Sequence, residues 1–164
     1  MAPIVVYQQM FRRQPDIAAM IVPSAKFELY MDLNGDGKAD FAFIDSKCDL
    51  TGKGQPDTFA IDLGSDGEFD LYLRDTDGNF LPDEITYFKD GTNEPVIQTH
   101  PEKSREMIEA ALAGPAQTMV EVMTKLAKGE SSAEEFKAGM QAYITGTRMA
   151  LRAVYAAYQQ SKQQ

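Results

Sequence analysis

The chain holds one cysteine and one histidine among 164 residues, no basic patch, and no apolar run near membrane-spanning length. Each shortage excludes something. Cys48 has no second cysteine to pair with, so no internal disulfide forms, and a small residue near a strand end is a simpler role for it than a nucleophile. His100 stands alone just before a helical stretch, where a Ser-His-Asp set has no supporting motif. Phosphate-cradling glycine loops, CxxC pairs and HExxH are missing too. A membrane span needs about 18 consecutive apolar residues or more, and none occurs. Without a basic patch to set against the acidity, nucleic acid is not an expected partner. Residues 1–25 lack the charged n-region, long apolar stretch and cleavage site of a signal peptide.

The chain is instead rich in aspartate, and rich in one place. Of 14 aspartates, 13 lie between Glu28 and Glu94, where 17 acids face 5 bases for a net −12. The formal total is −9, so the rest of the chain carries +3. Without cations such a segment repels itself.

The aspartates are spaced. Asp32-Leu-Asn34-Gly-Asp36-Gly-Lys38-Ala-Asp40 places side-chain oxygens at positions 1, 3, 5 and 9, with glycine at position 6 and the Lys38 backbone carbonyl at position 7. A hard cation with six to eight oxygen ligands needs this arrangement. A plain Asn-Gly or Asp-Gly hairpin turn does not need aspartate at both ends as well. The frame recurs at Asp49, Asp62 and Asp75. The 49–57 copy has Lys53 at position 5, where an ammonium group pairs with Asp49 and Asp57 in place of a metal ion. The 62–70 copy keeps Asp62, Asp66 and Asp70, with Glu68 at position 7, but has Gly64 where a ligand stood. The 75–83 copy offers Asp75, Asp77, Asn79 and Asp83, with Leu81 at position 7 and its glycine moved to position 4. For these last two a solvated acidic hairpin turn is the alternative. An EF-hand is not expected, because it closes with glutamate at position 12 between helices. Position 12 is Phe43 in the first copy and Leu73 in the third, and the flanks alternate as strands do.

The run Asp32-Leu-Asn-Gly-Asp-Gly-Lys-Ala-Asp-Phe-Ala-Phe43 resembles the calcium loops of FG-GAP/VCBS repeats, and is similar to dockerin and thrombospondin type 3 loops. The resemblance covers residues 26–90 and implies calcium with Asp32, Asn34, Asp36, Asp40 and the Lys38 carbonyl as ligands. It departs from the family in one respect. A propeller blade has four strands, whereas these loops start 17, 13 and 13 residues apart, which leaves room for one strand per interval.

The spacing therefore predicts an antiparallel meander over 26–32, 40–45, 57–62, 69–74 and 84–89, covered on one side. Its apolar face takes Phe27, Leu29, Met31; Phe41, Phe43; Phe59, Ile61; Phe69, Leu71, Leu73; and Ile85, Tyr87. Hairpin loops alternate between sheet ends, so 32–40 and 62–70 share one end, and 49–57 and 75–83 the other. Residues 1–25 are ambiguous: Ile4–Tyr7 suits a strand, Gln8–Arg13 a helix, and Asp16–Ile21 a short helix stopped by Pro23. Residues 99–164 read as three helices. Thr99 opens a capping box for the first, Gly114-Pro115 separates it from the second, Gly129 ends that, and Ser132 caps the third. The third carries the near-heptad stripe Phe136, Met140, Tyr143, Thr147, Ala150, Val154, Tyr158. Gly139 and Gly146 weaken that helix or permit close approach of another.

The fold expected is α+β, one compact domain of sheet and helices. The function expected is calcium binding that stabilises a secreted or periplasmic interaction module, with another protein as partner. The alternatives are a calcium-responsive regulator, or a calcium-dependent hydrolase or sugar-binding protein with His100 in a deep carboxylate-lined pocket. No residue pattern singles out a catalytic set.

Overall fold

Short runs of alternating apolar residues, separated by aspartate-rich turns, have one economical solution, which is to pair each strand with the next. The protein does this in a computed structural model that describes residues 15–22, 28–44, 57–77, 79, 81–89 and 92–162. The elements are α1 (Pro15–Ala18), β1 (Ile21–Val22), β2 (Glu28–Met31), β3 (Phe41–Ile44), β4 (Thr58–Ile61), β5 (Leu71–Arg74), β6 (Glu84–Phe88), β7 (Pro95–Gln98), α2 (Pro101–Ala127) and α3 (Ala133–Lys162). The strands form one antiparallel sheet in sequence order, β1 to β7, and the long helices cover it, so the fold is α+β. The elements expected within residues 1–14, Phe27, Cys48 and most of the 49–57 loop lie outside the described residues.

All five expected strands are present, each slightly shorter than read. Two more were not legible. β1 has two residues, too few for a periodic signal, and occupies the end of what reads as a helix; the helix stops at Ala18. β7 begins at Pro95, which a central strand does not tolerate but an edge strand does.

Register explains the core. Leu29, Phe43, Phe59, Leu73 and Ile85 form one row across the sheet, and Met31, Phe41, Ile61, Leu71, Tyr87 and Ile97 the next. Most of these side chains are buried, with Phe59 and Tyr87 half-buried against the core. Full burial of such side chains contributes about 1.5–3 kcal/mol each. Phe69 departs from the sequence pattern. It precedes β5 and its ring meets Tyr30 and Tyr72 at centroid distances of 5.4 and 6.4 Å. Tyr30, Ala42, Ala60 and Tyr72 form the intervening row of opposite parity. Phe69 thus bridges the two tyrosines above Ala42 and Ala60, which are fully buried.

The C-terminal layer has two helices rather than three. Pro115 removes a helix hydrogen bond, yet α2 runs through it. Its buried stripe is continuous across that point: Ile108, Leu112, Pro115, Met119, Val122, Leu126. Packing along this 3-4-3-4 spacing outweighs the local cost. Gly129, at φ +72°, ends the chain's turn out of α2, and the Ser132 hydroxyl accepts the Glu135 N–H at the start of α3 (3.1 Å). The first cap differs from the sequence reading. His100 is the N-cap, whereas the buried Thr99 hydroxyl bonds Ile85 across the sheet (3.0 Å from the Ile85 N–H). On α3 the buried stripe follows the predicted heptad at Phe136, Met140, Tyr143, Thr147 and Val154, with Leu151 buried beside a half-buried Ala150. Of the methionines on the two long helices, Met119 and Met140 are core, Met107 and Met123 pack against it, and Met149 is exposed.

The glycines of α3 allow close helix approach. A Cβ at Gly139 would stand 2.4 Å from Val122 Cγ2, and one at Gly146 3.3 Å from Pro115 Cγ. A Cβ at Gly114 would meet nothing within 4 Å. Gly139→Ala is therefore expected to destabilise by about 1–3 kcal/mol through overpacking, less the helix-propensity gain of up to about 1 kcal/mol. Gly114→Ala should show the gain alone. Urea unfolding of both variants checks the contrast.

Candidate metal centre

Three of the four loops can be described, and two of them are near-copies. In 32–40, the Asp32 carboxylate accepts the N–H groups of Gly35 (2.8 Å) and Gly37 (2.7 Å). Asp40 Oδ2 accepts those of Leu33 (2.8 Å) and Asn34 (3.3 Å). Asn34 Oδ1 takes the Asp36 N–H (3.1 Å), and Asp36 Oδ1 the Lys38 N–H (2.9 Å). In 62–70, Asp62 accepts from Gly64 (3.2 Å), Asp66 (3.3 Å) and Gly67 (2.8 Å). Asp70 Oδ2 accepts from Leu63 (2.8 Å) and Gly64 (3.2 Å), and Asp66 Oδ1 from Glu68 (2.9 Å).

The backbone follows the same path in both. Position 6 is left-handed at Gly37 (φ +84°) and Gly67 (φ +90°), which is why glycine is written there. Position 4 is left-handed as well, at Gly35 (φ +78°) and at Ser65 (φ +55°), the one non-glycine with positive φ among the described residues.

Each loop brings its carboxylates together. Oxygens of Asp32, Asp36 and Asp40 lie within 4.8 Å of one another, as do those of Asp62, Asp66 and Asp70, and those of Asp75, Asp77 and Asp83. Two oxygens each about 2.4 Å from a calcium ion are at most about 4.8 Å apart, so the spacing within each set is compatible with that ion. Burial makes the need for a counter-charge concrete. Asp40, Asp62, Asp70 and Asp83 are all buried. Burial pushes the Asp40 carboxyl above the ordinary carboxylate range, with Asp36 and Asp32 adding to it, against the pull of the Leu33 and Asn34 N–H groups. In metal-free protein, ionising Asp40 thus opposes folding as pH rises through its raised pKa. A bound cation reverses that sign.

The meander parity holds at the first end. The Asp62 N–H donates to the Asp40 carbonyl (3.0 Å), and the Lys38 chain lies against Gly67. At the other end, Asp75 N–H donates to the Asp57 carbonyl (2.7 Å). Asp49 and Lys53 lie outside the described residues.

The 75–83 loop shares part of the net. The Thr76 N–H faces Asp83 Oδ1 (3.3 Å), as Leu33 and Leu63 face Asp40 and Asp70, and the Thr76 hydroxyl adds a bond to the same carboxylate (2.8 Å to Oδ2). The N–H groups of Asn79 and Leu81 bond Asp77 (3.3 Å) and Asn79 (2.8 Å). What sequence reasoning missed is Arg105. Its guanidinium pairs with Asp77, lies 3.2 Å from Asp83 Oδ2 and 3.8 Å from Glu109 Oε1, and its second nitrogen reaches Thr76 Oγ1 at 3.4 Å. The hydrogen bond with Asp75, then the Asn79 N–H and the charge of Arg105, hold the Asp77 carboxyl below its ordinary range against the opposing effect of burial. The signal lay in topology: a seventh strand delivers the start of α2 to this end of the sheet. A second arginine, Arg148 of α3, donates to the Leu63 carbonyl (2.7 Å).

His100 lines a cavity of about 490 Å³ with Thr76, Pro101, Glu102, Lys103 and Arg105. That lining holds one carboxylate beside two cations, not the several carboxylates a hydrolase reading calls for. No helix among the described residues is long and apolar enough to cross a membrane. No family model matches the chain, and neither does any curated protein or solved structure.

The two sister loops differ most at position 3. Gly64 has open space around a Cβ and no left-handed φ, so asparagine fits there. Gly64→Asn should supply the oxygen that Asn34 supplies and tighten calcium binding by about two- to tenfold, the equivalent of about 0.5–1.5 kcal/mol for one hydrogen-bonding group. Calcium titration calorimetry against the parent measures it.

Proposed function

We propose that this protein binds calcium through its 32–40 and 62–70 loops, and that the ion stabilises the sheet of an exported interaction module whose partner is another protein. The observation that carries this is the repetition: two loops thirty residues apart share four backbone-to-carboxylate hydrogen bonds, and each gathers three aspartates within 4.8 Å. The likeness of 32–43 to FG-GAP/VCBS loops supports the same ion. The ligands are Asp32, Asn34, Asp36 and Asp40 with the Lys38 carbonyl, and Asp62, Asp66 and Asp70 with the Glu68 carbonyl, waters completing each shell. Such open, mostly exposed loops have affinities on the order of 10⁻⁴ to 10⁻³ M. Cytosolic calcium does not fill sites that weak, which argues for an extracellular or periplasmic location.

A regulatory role is the second reading, and one contact favours it. Arg148 joins α3 to the backbone of the 62–70 loop, so tightening that loop bears on helix packing.

At calcium about 100 times the dissociation constant, each site adds about 2.7 kcal/mol, or about 5–10 °C in Tm for a chain of this size. Asp36→Asn and Asp66→Asn keep the turn but remove a ligand charge, so each should abolish one site's share. Thermal melts in calcium and in chelator check this. Equal parent Tm values in the two conditions defeat the proposal.

A further inference from the structure

The 75–83 loop gathers the acids of a metal site, but a guanidinium already stands among them. Asp83 is fully buried, and a buried carboxylate requires a compensating charge and hydrogen bonds. It has both within the protein. Thr76 supplies its N–H and hydroxyl, and Arg105 supplies the charge at 3.2 Å. The same guanidinium nitrogen pairs with Asp77. It therefore bridges the position-3 and position-9 acids. In the sister loops the position-5 and position-9 acids are the ones brought together with position 1. Two differences in sequence accompany this. Phe80 replaces the position-6 glycine whose left-handed φ shapes the other loops, and aspartate and asparagine trade places, with Asp77 at position 3 and Asn79 at position 5 where the first loop has Asn34 and Asp36. Asn79 also turns toward the helix, its amide 3.5 Å from Glu109 Oε1. Arg105 and Glu109 stand one turn apart on α2, so the helix presents a cation and an acceptor to the loop together.

We infer that Arg105 is the built-in cation of the 75–83 loop: a guanidinium carried by α2 stands where a divalent ion would sit, and the helix rather than a metal closes this end of the sheet. Asp75, Asp77, Asn79, Leu81 and Asp83 then form a docking socket for α2 instead of a third calcium site. A planar, permanently charged fork suits this task better than an ammonium, because it donates to several oxygens at once. The inference rests on the calcium reading only for what it says about ion number.

Two measurements test it on the full chain. In chelator, Arg105→Met should lower Tm by about 4 °C or more. The loss should be at most half as large in an Asp77→Asn background, because the two side chains act on each other. In calcium, Asp77→Asn should leave the number of bound ions unchanged, while Asp36→Asn lowers it by one. Equal losses from Arg105→Met in both backgrounds overturn the inference, and so does an ion lost on Asp77→Asn. If Arg105→Met does not fold, Arg105→Lys enters the same cycle; it keeps the charge without the fork and should fall between parent and the Met variant. A parent that binds no calcium defeats the proposed function, and the chelator cycle alone then judges Arg105.

Discussion

Three loops of this sheet, 32–40, 62–70 and 75–83, turn on one contact: the last aspartate of the loop, already at the mouth of the next strand, reaches back to the N–H of the loop's second residue. Asp40 does this to Leu33, Asp70 to Leu63, and Asp83 to Thr76. The contact fixes the hairpin, but it buries a carboxylate at the end of the sheet each time. One or two backbone N–H groups do not offset the loss of water around a charge. The fold thus concentrates buried carboxylates at its two ends, and a positive charge placed there offsets the cost of burying them.

Topology decides which cations are available where. With strictly sequential strands, the 32–40 and 62–70 loops fall side by side, and 75–83 falls at the opposite end. The seventh strand then brings α2 to that opposite end, with Arg105 in its second turn. The antiparallel return of α3, held close by Gly139 against Val122 and Gly146 against Pro115, carries Arg148 to the first end. There it meets a backbone carbonyl of the loop rather than an aspartate. One end has a guanidinium among its acids; the other has two three-carboxylate clusters. The separation of charge along the chain, −12 in the sheet segment against +3 elsewhere, is thus partly repaired in space by arginines of the helices.

Much of this was legible because it is periodic. Alternating apolar residues gave five strands and their inward rows, loop spacing gave the meander, and the heptad stripe gave the face of α3. What was not legible had local evidence pointing elsewhere. Pro115 reads as a break, but a stripe of buried residues runs through it. Pro95 argues against a strand, but edge pairing tolerates it. Thr99 has a cap residue's chemistry and spends it on Ile85. Phe69 has the parity of Leu71, yet lies outside the strand and turns to Tyr30 and Tyr72. Arg105 is one basic residue among several at a helix start, and only a count of strands places it by Asp83. In each case a contact distant in sequence overrides a local preference.

The same distinction bears on why ordinary salt is a poor substitute for a bound ion in the first two loops. Asp36 and Asp66 are exposed, and at about 0.1 M salt their repulsion beyond about 10 Å is screened. Asp40 and Asp70 are buried, where mobile ions screen far less. Screening can therefore relieve the acidic surface of the segment without touching the carboxylates that close its turns. Only a cation held inside the loop, within bonding distance of both the exposed and the buried oxygens, acts on those. In 75–83 the protein supplies such a cation covalently, on a helix. In 32–40 and 62–70 no arginine of the described residues stands among the three aspartates in the same way, and the proposed calcium ion would supply the charge from solution.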